Sequence, residues 1–426
     1  MKTSYYNLTS NIGSITLIFN TVSKSFISFP KDRFEVIYND GNFVIERLSE
    51  AELASLIQNG FIIENDNWDE RQIWLDLRQQ KRLKSDTYTM IINPTLDCNL
   101  RCWYCFQNHK EGSRISDKLI DAITNNISYQ YELTRYNTFF LSFFGGEPMI
   151  ASKQLIKLLE FSKFFCKSKN INLKAFFTTN GTIINSRLIN TLSDIDSVFQ
   201  ITIDGDSITH NQTRVYKHNK SIPTFPVITK NVKILQELLP KTFINIRCNY
   251  SSSTLDNMGE LFLFLKTLDS KRTRISLHKV WQVDERTIDL NLLVQKVIDI
   301  KKMGFNVYVQ SLPVHDDLCY ADYANSLIIN YNGDVFKCTA RDFTEKQRCG
   351  TLSDSGIVHW NYDKFQSHCF SRIPIKCEMC KYLPCCPSFC SQAMNEEGEK
   401  SCQLHQNATL EDMVLFNYYI RKEVER

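Results

Sequence analysis

The sequence predicts an α/β protein built on a parallel sheet, closed or partly closed, with a small α+β unit before it and a cysteine-rich segment after it. Two observations carry this. Short apolar strands alternate with helical stretches between Tyr88 and about residue 310, and 15 cysteines fall into two groups. Alternation of that kind marks repeated βα units. Strands are readable at 89–95, 138–146, 173–181, 198–205, 243–251 and 274–280, with helices at 117–130, 153–168 and 228–239 between them. Ligands of such sheets sit beyond the C-terminal strand ends. Several of these strands end in Gly, Asn, Asp or Cys, as a site there requires.

Residues 1–87 read as the α+β unit. ITLIF (15–19), FISF (26–29) and FEVIY (34–38) read as strands. A helix over 49–63 opens on Ser49 with Glu52 three residues later and stops near Gly60, and a second covers 68–82. Residues 88–310 hold the βα units, and 311–426 the cysteine-rich segment. There, 326–338 (SLIINYNGDVFKC) reads as a hairpin around Asn332-Gly333. Residues 369–402 have little apolar periodicity, so metal or cluster binding must supply part of their stability. A last helix starts near Thr409.

Composition narrows the function. Of 426 residues, 43% are apolar and 23% charged, with a net charge of +3. That balance lacks the basic footprint of a nucleic-acid binder. No run of 18 apolar residues suggests a membrane span, and the N-terminus lacks the apolar core of a signal peptide, so a cytoplasmic protein is expected. In a reducing compartment, clustered cysteines read as metal ligands before disulfides.

The first cluster is Cys98, Cys102 and Cys105, directly after a strand. Three thiolates in one loop can face a single four-iron cluster and leave one iron open to a substrate or cofactor. A structural zinc is the competing reading, but it wants a fourth ligand, and the nearest spare group is His109. Gly145-Gly146-Glu147-Pro148 ends the next strand. Its glycines expose backbone carbonyls and Glu147 adds charge for an ammonium; alone, the motif is equally a bland turn. Cys166 and Cys248 stand apart and read as core residues.

The cysteine triple, with Tyr104 before its last member, and the Gly-Gly-Glu-Pro motif resemble the radical S-adenosylmethionine superfamily. That resemblance implies a partial (β/α)6 TIM-like barrel in which Tyr104, Gly145, Gly146, Glu147, Pro148, Asn180, Asp204, Arg247 and Asn249 line the S-adenosylmethionine site. Arg214 follows Asp204 and belongs with these marks. Cys319, Cys338, Cys377, Cys380, Cys386, Cys390 and Cys402 follow the seven-cysteine spacing of the SPASM domain, an auxiliary-cluster extension of that superfamily.

The resemblance implies three [4Fe–4S] clusters: one on Cys98, Cys102 and Cys105, and two auxiliary. Auxiliary II would use Cys377, Cys380, Cys386 and Cys402, and auxiliary I would use Cys319, Cys338 and Cys390. Auxiliary I then either keeps an open iron or is closed by Cys349, Cys369 or Cys385. The N-terminal unit resembles leader-peptide recognition domains, which take a peptide by strand addition.

The implied activity is maturation of a ribosomally made precursor peptide by a thioether or carbon–carbon crosslink. Its partners would be that peptide and an electron donor such as flavodoxin or ferredoxin, with no nucleic acid or membrane. Oxidation of a protein Cys or Ser side chain, as in anaerobic sulfatase maturases, and peptide epimerisation are the alternatives. Against the sulfatase activity stand the long segment before Cys98 and the Thr339 that follows Cys338 where those enzymes carry Asp. Asp316, Asp317, Asp322 and His278 are candidates for a base, and the sequence does not choose among them.

Overall fold

A computed structural model describes residues 1–283, 289–309, 318–370, 373–386, 390–398 and 409–422. They form two compact units. One takes Met1–Arg82 with the described residues of Leu312–Cys319 and Phe370–Arg426; the other takes Leu83–Ser311 and Tyr320–Cys369.

In the first unit, β1 (Asn7–Ile12), β2 (Ile15–Asn20) and β3 (Phe26–Pro30) form an antiparallel sheet with β2 in the middle. The first strand was not legible, since NLTSNI is mostly polar. Leu8 and Phe19 face each other in its register, and both are buried. The strand expected at 34–38 is instead helix α1 (Lys31–Ile37), followed by a two-residue strand at Tyr38–Asn39. Pro30 precedes it, with a φ of −53° that suits a helix entrance. Phe34 and Ile37, three residues apart, then meet one core with Phe29, Leu56 and Phe61. Burial follows a helical period there, which tertiary packing decides.

Helix α2 (Glu50–Gln58) carries the expected capping box, in which Ser49 Oγ accepts from Glu52 N and Glu52 Oε2 accepts from Ser49 N at 2.8 Å. Helix α3 (Glu70–Leu83) follows. Leu8, Leu17 and Phe19 of this sheet share a core with Tyr382, Cys385 and Val414, so the N-terminal strands and the cysteine-rich segment complete one another.

The second unit is a mostly parallel sheet. Its strands are β4 (Thr87–Asn93), β5 (Thr138–Phe143), β6 (Asn172–Thr179), β7 (Asp196–Thr202), β8 (Thr242–Tyr250), β9 (Thr273–Lys279), β10 (Asn306–Val309), β11 (Ser326–Asn330), β12 (Asp334–Phe336), β13 (Gly350–Leu352) and β14 (Val358–Trp360). In space they run β10-β9-β8-β7-β6-β5-β4-β11-β12-β13-β14. Neighbours are parallel from β10 through β11 and antiparallel beyond. The expected hairpin is present as β11 and β12, and it extends the main sheet. Helices α4 (Asp117–Thr134), α5 (Ser152–Lys169), α6 (Ser186–Leu192), α7 (Ser207–Thr213) and α8 (Phe225–Leu238) fill the crossovers.

One row of rings crosses this sheet. Phe143, Phe177 and Phe199 lie in register on β5, β6 and β7, with ring centroids 5.3 and 4.5 Å apart. Phe177 is 1% exposed in the middle of the row. Phe177→Ala removes packing on both sides and is expected to cost about 3–5 kcal/mol, measured as an earlier urea midpoint. Cys166 on α5 and Cys248 on β8 are buried in this unit, as core residues are. Among the described residues, no helix is long and apolar enough to cross a membrane.

Candidate functional site

The C-terminal ends of β4 through β9 surround a cavity of about 640 Å³. The loop after β4 carries Cys98, Cys102 and Cys105, and all three line the cavity. Its own backbone sets its shape. Thr95 Oγ1 donates to Ser113 O at 2.5 Å and accepts from Asp97 N at 2.9 Å. The Asp97 carboxylate accepts from Cys98 N at 2.8 Å and Gly112 N at 3.0 Å.

The Gly-Gly-Glu-Pro turn after β5 docks on this loop. Gly146 N donates to Thr95 O at 3.1 Å and Glu147 N to Asp97 O at 2.8 Å. The approach leaves no space for side chains. A Cβ on Gly145 would stand 2.3 Å from Thr95 O, and one on Gly146 would stand 2.2 Å from Asp97 O. Gly145 also holds a φ of +115°, which L side chains rarely adopt.

Glu147 is wholly buried and does not line the cavity. Its oxygens accept from Met149 N (3.0 Å), Thr179 Oγ1 (2.7 Å) and Asn180 N (2.7 Å). Burial pushes its carboxyl up, against the pull of those donors. The charge anticipated for an ammonium is thus taken up by the turn after β6. Pro148 begins the 3-10 turn that follows and is likewise buried off the cavity.

Asn180 does reach the cavity. Its Nδ2 donates to Asn99 Oδ1 at 2.8 Å and lies 3.9 Å from Cys98 Sγ. Tyr104, Arg247 and Asn249 line it too, whereas Asp204 does not. Arg247 Nε donates to Asn249 Oδ1 at 2.8 Å. Tyr104 O–H donates to Asp204 Oδ2 and accepts from Arg214 Nη1 (2.7 Å) and Asn249 Nδ2 (3.0 Å). Burial pushes the Asp204 carboxyl up, opposed by Arg214.

Other lining residues were not anticipated. Phe106 and Trp281 stand 5.5 Å apart, half-exposed, and Gln282 Nε2 donates to Tyr104 O at 2.8 Å. Of the candidate bases, His278 lines the cavity; Asp322 is buried away from it, and Asp316 and Asp317 lie outside the described residues. The signal for His278 was available: it pairs in register with Asn249, on the same face of the sheet.

The donor set suits a cluster. Burial raises all three thiols, Cys98 to about 12, so without a metal they are protonated. Among the described residues no three His, Cys, Asp or Glu side chains converge on one point, as a single ion requires. A four-iron cluster spreads its ligand sulfurs over separate irons and makes no such demand. Cys105 Sγ also lies 3.3 Å from His109 Nε2, so His109 is a neighbour of a thiol in this loop.

The second group of cysteines divides between the units. Cys338 belongs to the sheet unit, with Ala340 N donating to its Sγ at 3.3 Å. Cys319, Cys377, Cys380, Cys386 and Cys390 belong to the other. Cys377, Cys380 and Cys386 are half-buried along the Cys-rich turns, and Cys402 lies outside the described residues. Cys349 and Cys369 are buried in the sheet unit. Cys385 is fully buried against β1 and β2, its thiol donating to Thr21 O at 2.9 Å.

Comparison with known proteins agrees with this geometry. Residues 92–261 match the Radical SAM superfamily. The cysteine-type anaerobic sulfatase-maturating enzyme of Clostridium novyi is 23% identical over 338 residues, covering 71% of this chain and 87% of that one. The structure of anSMEcpe with bound AdoMet and the Cp18Cys peptide shares the fold over 80% of this chain and 98% of that one, at 17% identity and a TM-score of 0.58. Streptococcus suis SuiB bound to precursor peptide SuiA shares it over 95% of this chain and 100% of that one, at 17% identity and a TM-score of 0.51. Matched motif, cavity and sheet together show that residues 92–261 are a radical SAM domain, which implies S-adenosylmethionine and a [4Fe–4S] cluster as its cofactors.

Proposed function

We propose that this chain is a radical S-adenosylmethionine enzyme that matures a ribosomally made precursor peptide, forming a thioether or carbon–carbon crosslink. The observation that carries the reading is the 640 Å³ cavity with three cysteines of one loop on its wall. Its volume lies within the range of small-molecule sites. When bound, the reduced cluster and S-adenosylmethionine supply a 5′-deoxyadenosyl radical that takes a hydrogen from the substrate.

The chain's own residues do the rest. Cys98, Cys102 and Cys105 hold the cluster. Tyr104, Gly145, Gly146, Asn180, Arg247 and Asn249 surround the cofactor on the cavity wall, and Glu147, Pro148 and Asp204 back that wall. Phe106 and Trp281 shield the cavity from water. The sheet of the second unit is read as a partial (β/α)6 barrel, and residues 311–426 as a SPASM domain.

Peptide maturation is favoured by the N-terminal unit, whose three-stranded sheet and three α-helices suit leader-peptide capture by strand addition. The fold likeness to SuiB over 95% of the chain supports it, against 80% for anSMEcpe. The sequence match to the Clostridium novyi maturase keeps oxidation of a protein Cys or Ser side chain as the second reading.

The test is incubation of the reduced protein with S-adenosylmethionine and the product of any short reading frame found beside its gene. Loss of two hydrogens with a new covalent link supports the crosslink. Turnover of a sulfatase peptide in its place supports the second reading, and deuterium uptake without another change supports epimerisation. The auxiliary assignment makes its own prediction. Cys380→Ala is expected to remove one cluster's share of iron, by chemical iron analysis, while reductive cleavage of S-adenosylmethionine stays within about threefold of wild type. Unchanged iron content would sink it.

A further inference from the structure

The buried polar groups around Tyr104 are built as a fastening for the cysteine loop. Tyr104 lies between Cys102 and Cys105, and its hydroxyl is saturated: one bond donated to Asp204 Oδ2, two accepted from Arg214 and Asn249. Asp204, 1% exposed, spends its other oxygen on Asn249 N (2.8 Å) and Asn249 Nδ2 (3.3 Å). Its backbone N–H goes to His210 Nδ1 at 3.1 Å, on the helix that Arg214 follows. The residues just after Arg214 grip the loop again. Arg101 N donates to Val215 O at 2.9 Å and Lys217 N to Asn99 O at 2.8 Å. One segment, 204–217, thus holds the loop on both sides of Cys102.

We propose that Tyr104, Asp204 and Arg214 form a lock that sets the position of Cys102 and Cys105, with Asp204 acting as a positioning residue for the cluster and not as a contact to the nucleotide. Both Asp204 oxygens are engaged and the residue does not line the cavity, so a ribose hydroxyl has no lone acceptor there to meet. The lock also keeps charge balanced in a buried place, with Arg214 Nη1 3.9 Å from Asp204 Oδ2. Removing the Tyr104 hydroxyl takes that partner from Asp204 Oδ2 and Arg214 Nη1 and loosens the loop beyond Cys102. Cluster retention and potential depend on such ligand placement and hydrogen bonding. The inference rests on the radical SAM reading.

The test compares full-length wild type, Tyr104→Phe, Asp204→Asn and the double variant after anaerobic reconstitution. Three quantities are measured: release of iron to a chelator, the electron paramagnetic resonance signal that S-adenosylmethionine perturbs, and S-adenosylmethionine affinity. Each single variant is expected to release that cluster's iron about tenfold faster and to alter the signal, with Kd changed less than about threefold. The double variant is expected to be no worse than the worse single one, as for groups acting as a unit. Weaker S-adenosylmethionine binding by Asp204→Asn with iron retention unchanged would overturn the lock in favour of a nucleotide contact, and so would additive effects. Should Asp204→Asn fail to fold, Tyr104→Phe, which keeps the ring, decides alone. A wild-type protein whose signal ignores S-adenosylmethionine defeats the radical SAM reading itself, a separate failure.

Discussion

Gly146→Ala is expected to reduce 5′-deoxyadenosine formation by about a hundredfold or more, as a displacement of about 1 Å at reacting groups does. The added Cβ would lie 2.2 Å from Asp97 O, 2.6 Å from Asp97 C and 2.7 Å from Leu96 O. All three are backbone atoms and cannot swing aside. The turn and the cysteine loop must part, breaking the bonds from Gly146 N to Thr95 O and from Glu147 N to Asp97 O. Overpacking of this kind also costs about 1–3 kcal/mol of stability. Gly259→Ala is the control, because a Cβ there meets open space. If the two variants turn over S-adenosylmethionine alike, the close docking of turn on loop has no functional weight.

Cys98→Ala is expected to bring reductive cleavage of S-adenosylmethionine to the background of the no-enzyme control. The chain should still fold, since only one sulfur is deleted. That sulfur is 3.4 Å from Leu100 N and sits on the cavity wall. Iron analysis should show the loss of one cluster's share, with the auxiliary share kept. Cys248→Ala, a buried strand residue off the cavity, is expected to leave the iron content unchanged and cost about 1 kcal/mol in stability. Equal iron loss in both would mean that the cysteine loop is not a privileged site.

The parts of this site that were legible in the sequence are local. Cys98, Cys102 and Cys105 share one loop, and Gly145 and Gly146 end one strand, so spacing alone put them near a ligand. What spacing does not tell is where a side chain spends its hydrogen bonds. Glu147 and Asp204 occupy the anticipated strand ends, but their oxygens are engaged by neighbouring turns and by Tyr104 and Asn249. The strands of the parallel sheet were readable because they are short apolar runs. Residues 34–38 were misread because Phe34, Val36 and Tyr38 alternate like a strand, while the core selects Phe34 with Ile37. Residues 326–336 were readable as a hairpin, but not as neighbours of Thr87–Asn93, a pairing made across more than 230 residues of chain.

The core that joins Leu8, Leu17 and Phe19 to Tyr382, Cys385 and Val414 has a consequence for biogenesis. The ribosome delivers the first three long before the last three exist. Those early strands must wait, with oily faces uncovered, until residues 382–414 emerge. A chaperone that shelters nascent chains would therefore hold these strands until Val414 is made, and a fragment stopping at Arg82 would inherit the same exposure for good.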